Sequence, residues 1–149
     1  MARKRICIIS TGGTIEKTYD ELEGVMANEV SVLDVMLAQL ELGGVEVIRV
    51  PLMNKDSLLM TPRDHDLIAR TAGNMAEAYD GVIVVHGTDR LANTGERIVE
   101  VVPDLDVPIV LTGAMRPYAL KRTDAMQNLT ESLLASQVMD PGVYVARHN

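Results

Sequence analysis

The sequence of 149 residues contains no tryptophan, no phenylalanine and only one cysteine. Because large aromatic rings are scarce, the chain offers few platforms on which nucleic-acid bases could stack. A single cysteine excludes an internal disulfide bond and a metal site built from several cysteines. Cys7 lies in an apolar run, so we expect it to be an inert thiol in the core of a protein from a reducing compartment.

Positive charge is also in short supply, because 14 lysines and arginines face 21 aspartates and glutamates, for a formal net charge of −7. The cations do not cluster, which argues against a nucleic-acid partner. No apolar stretch approaches the roughly 20 residues that span a bilayer. The basic amino terminus is followed by only four apolar residues, too few for a signal peptide. We therefore predict a cytoplasmic protein without membrane contact.

The composition itself is that of a globular protein, with 47% hydrophobic and 23% charged residues. A chain of this length can bury roughly two-thirds of its unfolded surface as one domain. We find no internal repeat and no linker, so we expect a single domain over residues 1–149. Its core must be filled by valine, leucine, isoleucine, alanine and methionine.

Five short runs rich in valine and isoleucine recur along the chain. They are continuous rather than alternating, which is typical of strands covered on both faces in a parallel sheet. The predicted strands are Ile6–Ser10, Val45–Val50, Gly81–Val85, Val107–Leu111 and Val143–Ala146.

Four helical patterns separate these strands. Alternation of strands and helices with right-handed crossovers gives an α/β fold, a three-layer, mostly parallel sheet with helices on both faces, as in Rossmann-like domains. The predicted helices are one capped by Ser31, one that starts at Thr61-Pro62, a shorter one over Arg97–Val102 and one capped by Thr123.

The turns after the first four strands carry hydroxyl groups, glycines and acidic groups. In open parallel sheets ligands bind outside the carboxyl ends of the strands, so these turns should meet at one edge. The turns are Thr11-Gly12-Gly13-Thr14, Asn54-Lys55-Asp56-Ser57, His86-Gly87-Thr88-Asp89 and Thr112-Gly113-Ala114-Met115-Arg116.

The first turn does not have the spacing of a nucleotide-binding loop, because neither Gly-x-Gly-x-x-Gly nor Gly-x-x-x-x-Gly-Lys is present. We therefore expect no nucleotide cofactor. Gly12-Gly13 can instead form a tight turn whose amides approach a developing oxyanion, with the Thr14 hydroxyl beside them. A turn that simply requires positive φ angles is the alternative interpretation.

The third turn places the Thr88 hydroxyl beside the Asp89 carboxylate. Such a pair can bind an ammonium group or take part in proton transfer, although capping of the next helix is an equally simple explanation. We expect His86 to be a packed histidine that donates to backbone. His65 and His148 look solitary in the sequence, so no metal site is predicted.

Four sequence motifs follow one another along nearly the whole chain. They are Thr11–Ile15, Asp56-Ser57 with Met60-Thr61-Pro62, His86–Asp89, and Thr112–Pro117 with Asp124 and Asn128-Leu129. In this order and spacing they resemble the motifs of the bacterial-type L-asparaginases. The resemblance implies the amino-terminal domain of that family and a cofactor-free amidohydrolase. Such an enzyme converts L-asparagine, and less readily glutamine, to the acid and ammonia through a threonine acyl-enzyme.

The resemblance also implies roles for individual residues. Thr14 would be the nucleophile, carried on a mobile lid, with Tyr19 of the lid against its hydroxyl. Thr88 would lie on the other side of the amide and activate water or the nucleophile together with a lysine. Asp89 would bind the substrate's α-ammonium group and so completes the catalytic set.

The implied substrate-binding residues overlap with that set. Ser57, in the Asp56-Ser57 pair, would bind the α-carboxylate with help from the turn around Gly13, while Thr88 and Asp89 contact the rest of the amino acid. An amino acid zwitterion needs one acidic group, one set of donors and a nearby activated hydroxyl, so the set is chemically coherent.

Three features depart from the family pattern. The lysine that pairs with the second threonine would fall about a dozen residues beyond the last strand, and the small carboxy-terminal domain has no counterpart in residues 1–149. Arg90 replaces a small threonine. Lys55 or Lys121 is a candidate substitute for the lysine, with Lys55 nearer to the site by topology.

Three functions therefore stay open. The chain is a short asparaginase, the amidohydrolase-like subunit of an amidotransferase that feeds ammonia to a tRNA-bound substrate, or an amino-acid-binding module with little turnover. Without a lysine base, attack by a threonine hydroxyl should be slow. Because sites in the family form between subunits, we expect a homodimer or a higher homo-oligomer.

Overall fold

A computed structural model describes residues 3–16, 32–116, 118 and 122–147. It contains a five-stranded parallel sheet, as predicted. The strands are β1 (Lys4–Ser10), β2 (Val45–Pro51), β3 (Gly81–Val85), β4 (Pro108–Thr112) and β5 (Gly142–Val145). In space they follow the order β2-β1-β3-β4-β5, so the chain changes direction across the sheet after β2.

Helices cover both faces of the sheet, which confirms the predicted three-layer α/β fold. The helices are α1 (Val32–Ala38), α2 (Pro62–Ala78), α3 (Leu91–Val101) and α4 (Ala125–Val138). Helices α1 and α4 contribute to the hydrophobic core on one face, and α2 and α3 to the core on the other. No helix in the described ranges is long and apolar enough to cross a membrane.

The strands are hydrophobic throughout because both of their faces are covered. In β1 the side chains of Ile6 and Ile8 belong to the α1/α4 core, while Cys7 and Ile9 belong to the α2/α3 core. Burial raises the pKa of the Cys7 thiol to about 11. The thiol therefore stays protonated at neutral pH, and the prediction of an inert core cysteine is confirmed.

The start of α2 follows the sequence signal closely. The Thr61 side chain accepts a hydrogen bond from the Asp64 amide, the Asp64 carboxylate accepts one from the Thr61 amide, and Pro62 occupies the first turn. This reciprocal capping satisfies two amides that a helix start otherwise leaves without partners.

Other predicted boundaries need correction. Helix α3 begins at Leu91, six residues before the predicted start, although Arg90 gives it no side-chain cap and Gly95 is a weak helix former. Two of the six added residues, Leu91 and Thr94, are buried, so tertiary packing stabilises this part of the helix. Strand β4 lies one residue later than predicted, and β5 lies one residue earlier.

At the start of α4 the capping position and the capping hydrogen bond belong to different residues. Thr123, the predicted cap, accepts a hydrogen bond from the Ala125 amide at 3.0 Å, but Asp124 occupies the capping position. The Asp124 carboxylate does not cap the helix. Ser31, the predicted cap of α1, lies outside the described residues.

The strand register brings four strand ends to the same level. Ser10 at the end of β1 pairs with Pro51 of β2 on one side and with Val85 of β3 on the other. Val85 in turn pairs with Thr112 at the end of β4. The four following turns therefore start side by side along one edge of the sheet.

Candidate active site

The turn after β1 fits between its two neighbours through backbone contacts. Gly12 and Gly13 have φ angles of +111° and +92°, which L-residues with side chains rarely adopt. A Cβ atom on Gly12 would lie 2.5 Å from the Lys55 amide nitrogen, and one on Gly13 would lie 2.6 Å from the Gly87 amide nitrogen. Glycine is therefore required at both positions, and the first turn is packed directly against the second and the third.

The second and third turns are joined through Ser57. A Cβ atom on Gly87 would lie 2.8 Å from the Ser57 hydroxyl oxygen, and that oxygen accepts a hydrogen bond from the Arg90 amide at 3.2 Å. Ser57 is fully buried. Asp56 is exposed, and its carboxylate accepts a hydrogen bond from the Leu58 amide at 3.0 Å, which caps the short 3-10 turn over Ser57–Leu59.

The third and fourth turns are equally close. A Cβ atom on Gly113 would overlap the His86 carbonyl oxygen and would lie 3.1 Å from Cγ2 of Thr88. The Thr88 hydroxyl donates toward the Met115 sulfur at 3.6 Å. Thus all four turns that the sequence placed at one edge lie in contact with a neighbour.

Asp124, at the start of α4, stabilises the fourth turn through hydrogen bonds to its backbone. Its carboxylate accepts hydrogen bonds from the amides of Met115 and Arg116, both at 3.0 Å, and the Asn128 amide group donates to Gly113 at 2.8 Å. Burial raises the pKa of Asp124, but the hydrogen bonds from the amides of Met115, Arg116 and Asp124 itself and from the Asn128 side chain together outweigh it, so the pKa lies below its ordinary value. The sequence contained Asp124 and Asn128 as motif residues but gave no hint of this role.

The reactive groups implied by the resemblance fall on these turns. Thr14 is half-buried at the first position of a 3-10 turn over Thr14–Glu16, and Thr88 is half-buried on the third turn. The Asp89 carboxylate is exposed and has no hydrogen bond or ion pair to any residue that the structure describes. Tyr19 lies outside the described residues.

Lys55 is directed away from a role as the substitute base. Its ammonium nitrogen forms an ion pair with the Asp64 carboxylate at 2.8 Å, at the start of α2. This bond to Lys55 lowers the pKa of Asp64, with help from the Thr61 amide. Lys121, the other candidate, is outside the described residues.

Behind the third turn lies a buried group that the sequence did not reveal. The His86 ring contacts the Gly87 carbonyl through Nδ1 at 2.7 Å and the Thr94 hydroxyl through Nε2 at 2.8 Å. Nδ1 of His65 contacts the same hydroxyl at 2.5 Å, and the two rings stack with centroids 6.1 Å apart. His86 is thus packed against backbone, as expected, whereas the description of His65 as solitary is wrong. The two histidines lie 21 positions apart, on α2 and after β3, so no local pattern links them.

Comparisons with known proteins agree with this architecture. A family model described as "Asparaginase, N-terminal" matches residues 5–149. The L-asparaginase of Thermococcus kodakarensis is 30% identical over 142 residues, which cover 95% of this chain and 43% of that protein. Its solved structure superimposes with a TM-score of 0.83 at 31% identity, over 95% of this chain and 43% of that chain.

Two further relatives differ in their described activity. L-asparaginase 1 of Escherichia coli K12 is 31% identical over 139 residues, covering 89% of this chain and 40% of the relative. A glutamyl-tRNA(Gln) amidotransferase subunit from Haloquadratum walsbyi is 32% identical over 145 residues, covering 96% of this chain and 33% of the relative. The chain therefore spans less than half the length of each of these proteins.

Proposed function

The chain belongs to the asparaginase family, and from this premise we propose that it is an amidohydrolase that releases ammonia from the side-chain amide of L-asparagine, and less readily from L-glutamine. The observation that carries the proposal is the close contact between the four turns. Gly13 packs on Gly87, Gly87 packs on Ser57, and Gly113 packs on Thr88. These contacts bring hydroxyl groups and a free carboxylate to one edge of the sheet, where α/β proteins bind ligands.

Each charged end of an amino acid has a partner in this set. The exposed Asp89 carboxylate binds the α-ammonium group, since it has no competing cation among the residues that the structure describes. The Ser57 hydroxyl and the turn around Gly13 bind the α-carboxylate. Ser57 accepts a hydrogen bond from the Arg90 amide, which leaves its own proton for the substrate, although the hydroxyl is fully buried and the substrate has to reach it beneath the turn. Asp56 fixes the Ser57 turn by capping it.

The reaction is an acyl transfer in two steps. The Thr14 oxygen attacks the amide carbon, the bond between carbon and nitrogen breaks, and ammonia leaves after the nitrogen gains a proton. Amides of the Gly12-Gly13 turn stabilise the oxyanion of the intermediate. Water, activated by Thr88, then hydrolyses the threonine ester, and the acid is released. Tyr19, by resemblance, contacts the Thr14 hydroxyl.

Removal of the threonine proton needs a base, which contributes typically 10²–10⁴-fold to such reactions. The ion pair with Asp64 engages Lys55 elsewhere. We propose that this domain alone binds the amino acid well and turns it over slowly, and that a lysine placed as in the family raises the rate. An amino-acid-binding module is the limiting case of this proposal.

A second candidate function is that of an amidotransferase subunit. The relative from Haloquadratum walsbyi, named as a glutamyl-tRNA(Gln) amidotransferase subunit, matches this chain at 32% identity, as closely as the asparaginases do. Such a function would use the same acyl transfer but with glutamine as the ammonia donor. A preference for glutamine over asparagine in ammonia release would favour it.

The central experiment is ammonia release from L-asparagine and L-glutamine by the wild type and by Thr14→Ala and Thr88→Val. We expect slow release by the wild type and loss of at least 100-fold in both variants, as for removal of a nucleophile or its activator. Thr130→Ala is the matched control, because the Thr130 hydroxyl is exposed on α4 and bonds only its own helix at Met126.

Calorimetry with L-aspartate tests binding separately from turnover. We expect the wild type to bind and Asp89→Asn to bind at least tenfold less tightly, because the variant loses the charge that faces the ammonium group. Binding without any ammonia release would support the amino-acid-binding module. The absence of both binding and ammonia release would refute the proposal.

We also propose a homodimer or a higher homo-oligomer, which light scattering will test. The cytoplasmic location stays a prediction.

A further inference from the structure

The buried group behind the third turn consists of His65 on α2, Thr94 on α3 and His86 after β3. Their exposed fractions are 8% for His65 and 0% for Thr94 and His86. The two imidazole rings share one partner, the Thr94 hydroxyl. The proposed reaction uses none of these three side chains, although the third of them directly precedes the Gly87-Thr88-Asp89 turn.

The proton positions in the His86 ring follow from its partners. The Gly87 carbonyl can only accept a hydrogen bond, so Nδ1 of His86 carries the hydrogen. Burial lowers the pKa of His86, so the ring is neutral at neutral pH. Nε2 of His86 is then an acceptor, and the Thr94 hydroxyl must donate to it.

The same reasoning extends to His65. Because the single proton of the Thr94 hydroxyl is used on His86, the Thr94 oxygen must accept from Nδ1 of His65. Burial lowers the pKa of His65 as well, with a smaller contribution from the positive charge of Arg90. The neutral ring then leaves Nε2 as a buried acceptor, and that atom has no hydrogen-bond partner among the described residues.

The direction of the hydrogen bonds is thus the same at every step, from His65 through Thr94 to His86 and on to the Gly87 carbonyl. The buried Nε2 of His65 has no partner among the described residues, which costs stability, and the hydrogen bond from Nδ1 to Thr94 offsets that cost. The last bond fixes the peptide group that joins Gly87 to Thr88. Gly87 itself is confined by Ser57 on one side and by Gly13 on the other.

We propose that His65, Thr94 and His86 form a directional hydrogen-bond chain that positions the turn carrying Thr88 and Asp89. The three are positioning residues, since none of them touches the reacting atoms in the proposed reaction. The catalytic consequence rests on the proposed function, whereas the hydrogen-bond chain itself does not. Loss of the Thr94 hydroxyl breaks the chain in the middle and leaves the two histidines without their shared partner.

The first test is nitrogen-15 NMR of the histidine rings in the full chain. We expect both His65 and His86 to carry their hydrogen on Nδ1, with each ring assigned by its absence in a single histidine-to-glutamine variant. This measurement does not depend on any enzymatic activity. A hydrogen on Nε2 of neutral His86 in the wild type would overturn the proposal, because Nδ1 could not then donate to Gly87.

The second test compares Thr94→Val, which keeps the shape and removes the hydroxyl, with Thr94→Ser, which keeps the hydroxyl and removes a methyl group. We expect Thr94→Val to shift the backbone amide resonances of Thr88 and Asp89 and to release the His65 ring to its other tautomer. Thr94→Ser should keep both signals near those of the wild type. Unchanged Thr88 and Asp89 resonances in a folded Thr94→Val protein would contradict positioning by the chain.

Kinetics then connect the chain to the reaction. For asparagine hydrolysis we expect Thr94→Val to lower kcat/KM by about ten- to a hundredfold, the range that small displacements of reacting groups produce. Thr94→Ser should restore most of this loss. If the wild type releases no ammonia but shows the expected tautomers and turn shifts, the proposed function fails and the hydrogen-bond chain stands. If it releases ammonia and Thr94→Val is as active as the wild type, the hydrogen-bond chain has no catalytic role.

Discussion

The turn that carries Thr14 and the turn that carries Thr88 meet at one edge of the sheet but are held by different means. The Thr88 turn is supported by side chains, since His86 bonds the Gly87 carbonyl and Ser57 bonds the Arg90 amide. The Thr14 turn is held mainly by the fit of its backbone between its two neighbours, with one side-chain hydrogen bond from the Thr11 hydroxyl to the Val85 carbonyl at 2.6 Å. Thr88 is therefore placed by a hydrogen-bonded support, and Thr14 mainly by two glycines that leave no space for a side chain.

The largest effect should come from breaking the backbone fit. Gly13→Ala places a Cβ atom 2.6 Å from the Gly87 amide nitrogen in a backbone with φ of +92°. We expect the free energy of unfolding to fall by about 3 kcal/mol, because both strain and overlap must be relieved. Urea denaturation measures this loss.

The matched control is Gly43→Ala, because a Cβ atom at Gly43 meets nothing within 4 Å. Its stability should stay within about 0.5 kcal/mol of the wild type. A Gly13→Ala protein as stable as this control would show that the first turn adjusts freely and does not depend on backbone fit.

The fourth turn offers a test of support by side chains. Asp124→Asn removes the charge that accepts hydrogen bonds from the Met115 and Arg116 amides and turns a donor group toward them. We expect a loss of about 2 kcal/mol in the free energy of unfolding, the range for hydrogen bonds to a charged group. Asp104→Asn, at an exposed position, should have no measurable effect. Equal stability of the two variants would contradict the role of Asp124.

Acid should destabilise the folded protein in a defined pH range, because His65 and His86 are buried. Burial lowers the pKa values of His86 and His65 in the folded protein, so below the ordinary histidine value of about 6.5 the unfolded chain binds more protons. The free energy of unfolding should therefore be level above this pH and fall as the pH decreases below it. Urea midpoints between pH 8 and pH 5 measure the slope, which should be smaller in His86→Gln. Lowered carboxylate pKa values, as in Asp124, act only below about pH 4.

The smallest effect is expected at Lys55. This lysine is partly exposed and pairs with Asp64, so Lys55→Gln should cost about 0.5 kcal/mol of stability. Ammonia release should be unchanged, since the ammonium group is engaged at the start of α2. A turnover rate reduced by a factor of about 100 or more, as for loss of a general base, would instead identify Lys55 as the base.

The meeting of the four turns could be predicted from the sequence, because continuous apolar runs indicate a parallel sheet and parallel strands end at one edge. The level register of Ser10, Pro51, Val85 and Thr112 could not, since apolar runs buried on both faces give no signal for register. Thr61 shows the opposite case, where a local capping motif located the start of α2 within one residue.

The contacts between residues on separate helices and strands could not be predicted from the sequence either. Thr94 lies in a segment with Asn93 and Gly95, which are weak helix formers, so α3 was predicted to begin too late and the pairing of Thr94 with two histidines was missed. Tertiary packing of Leu91 and Thr94 overrides these local preferences. The role of Tyr19 stays a prediction.

The glycine contacts at the sheet edge have a consequence for how this domain can change over evolutionary time. Because the first turn touches its two neighbours through main-chain atoms at Gly12 and Gly13, its path does not depend on the side chain at position 14. A substitution at position 14 can therefore alter the chemistry without moving the turn, whereas lengthening the turn would displace its neighbours. Position 57 is different, because the buried Ser57 side chain packs on Gly87 and bonds the Arg90 amide, so a change there alters the support of the pocket itself.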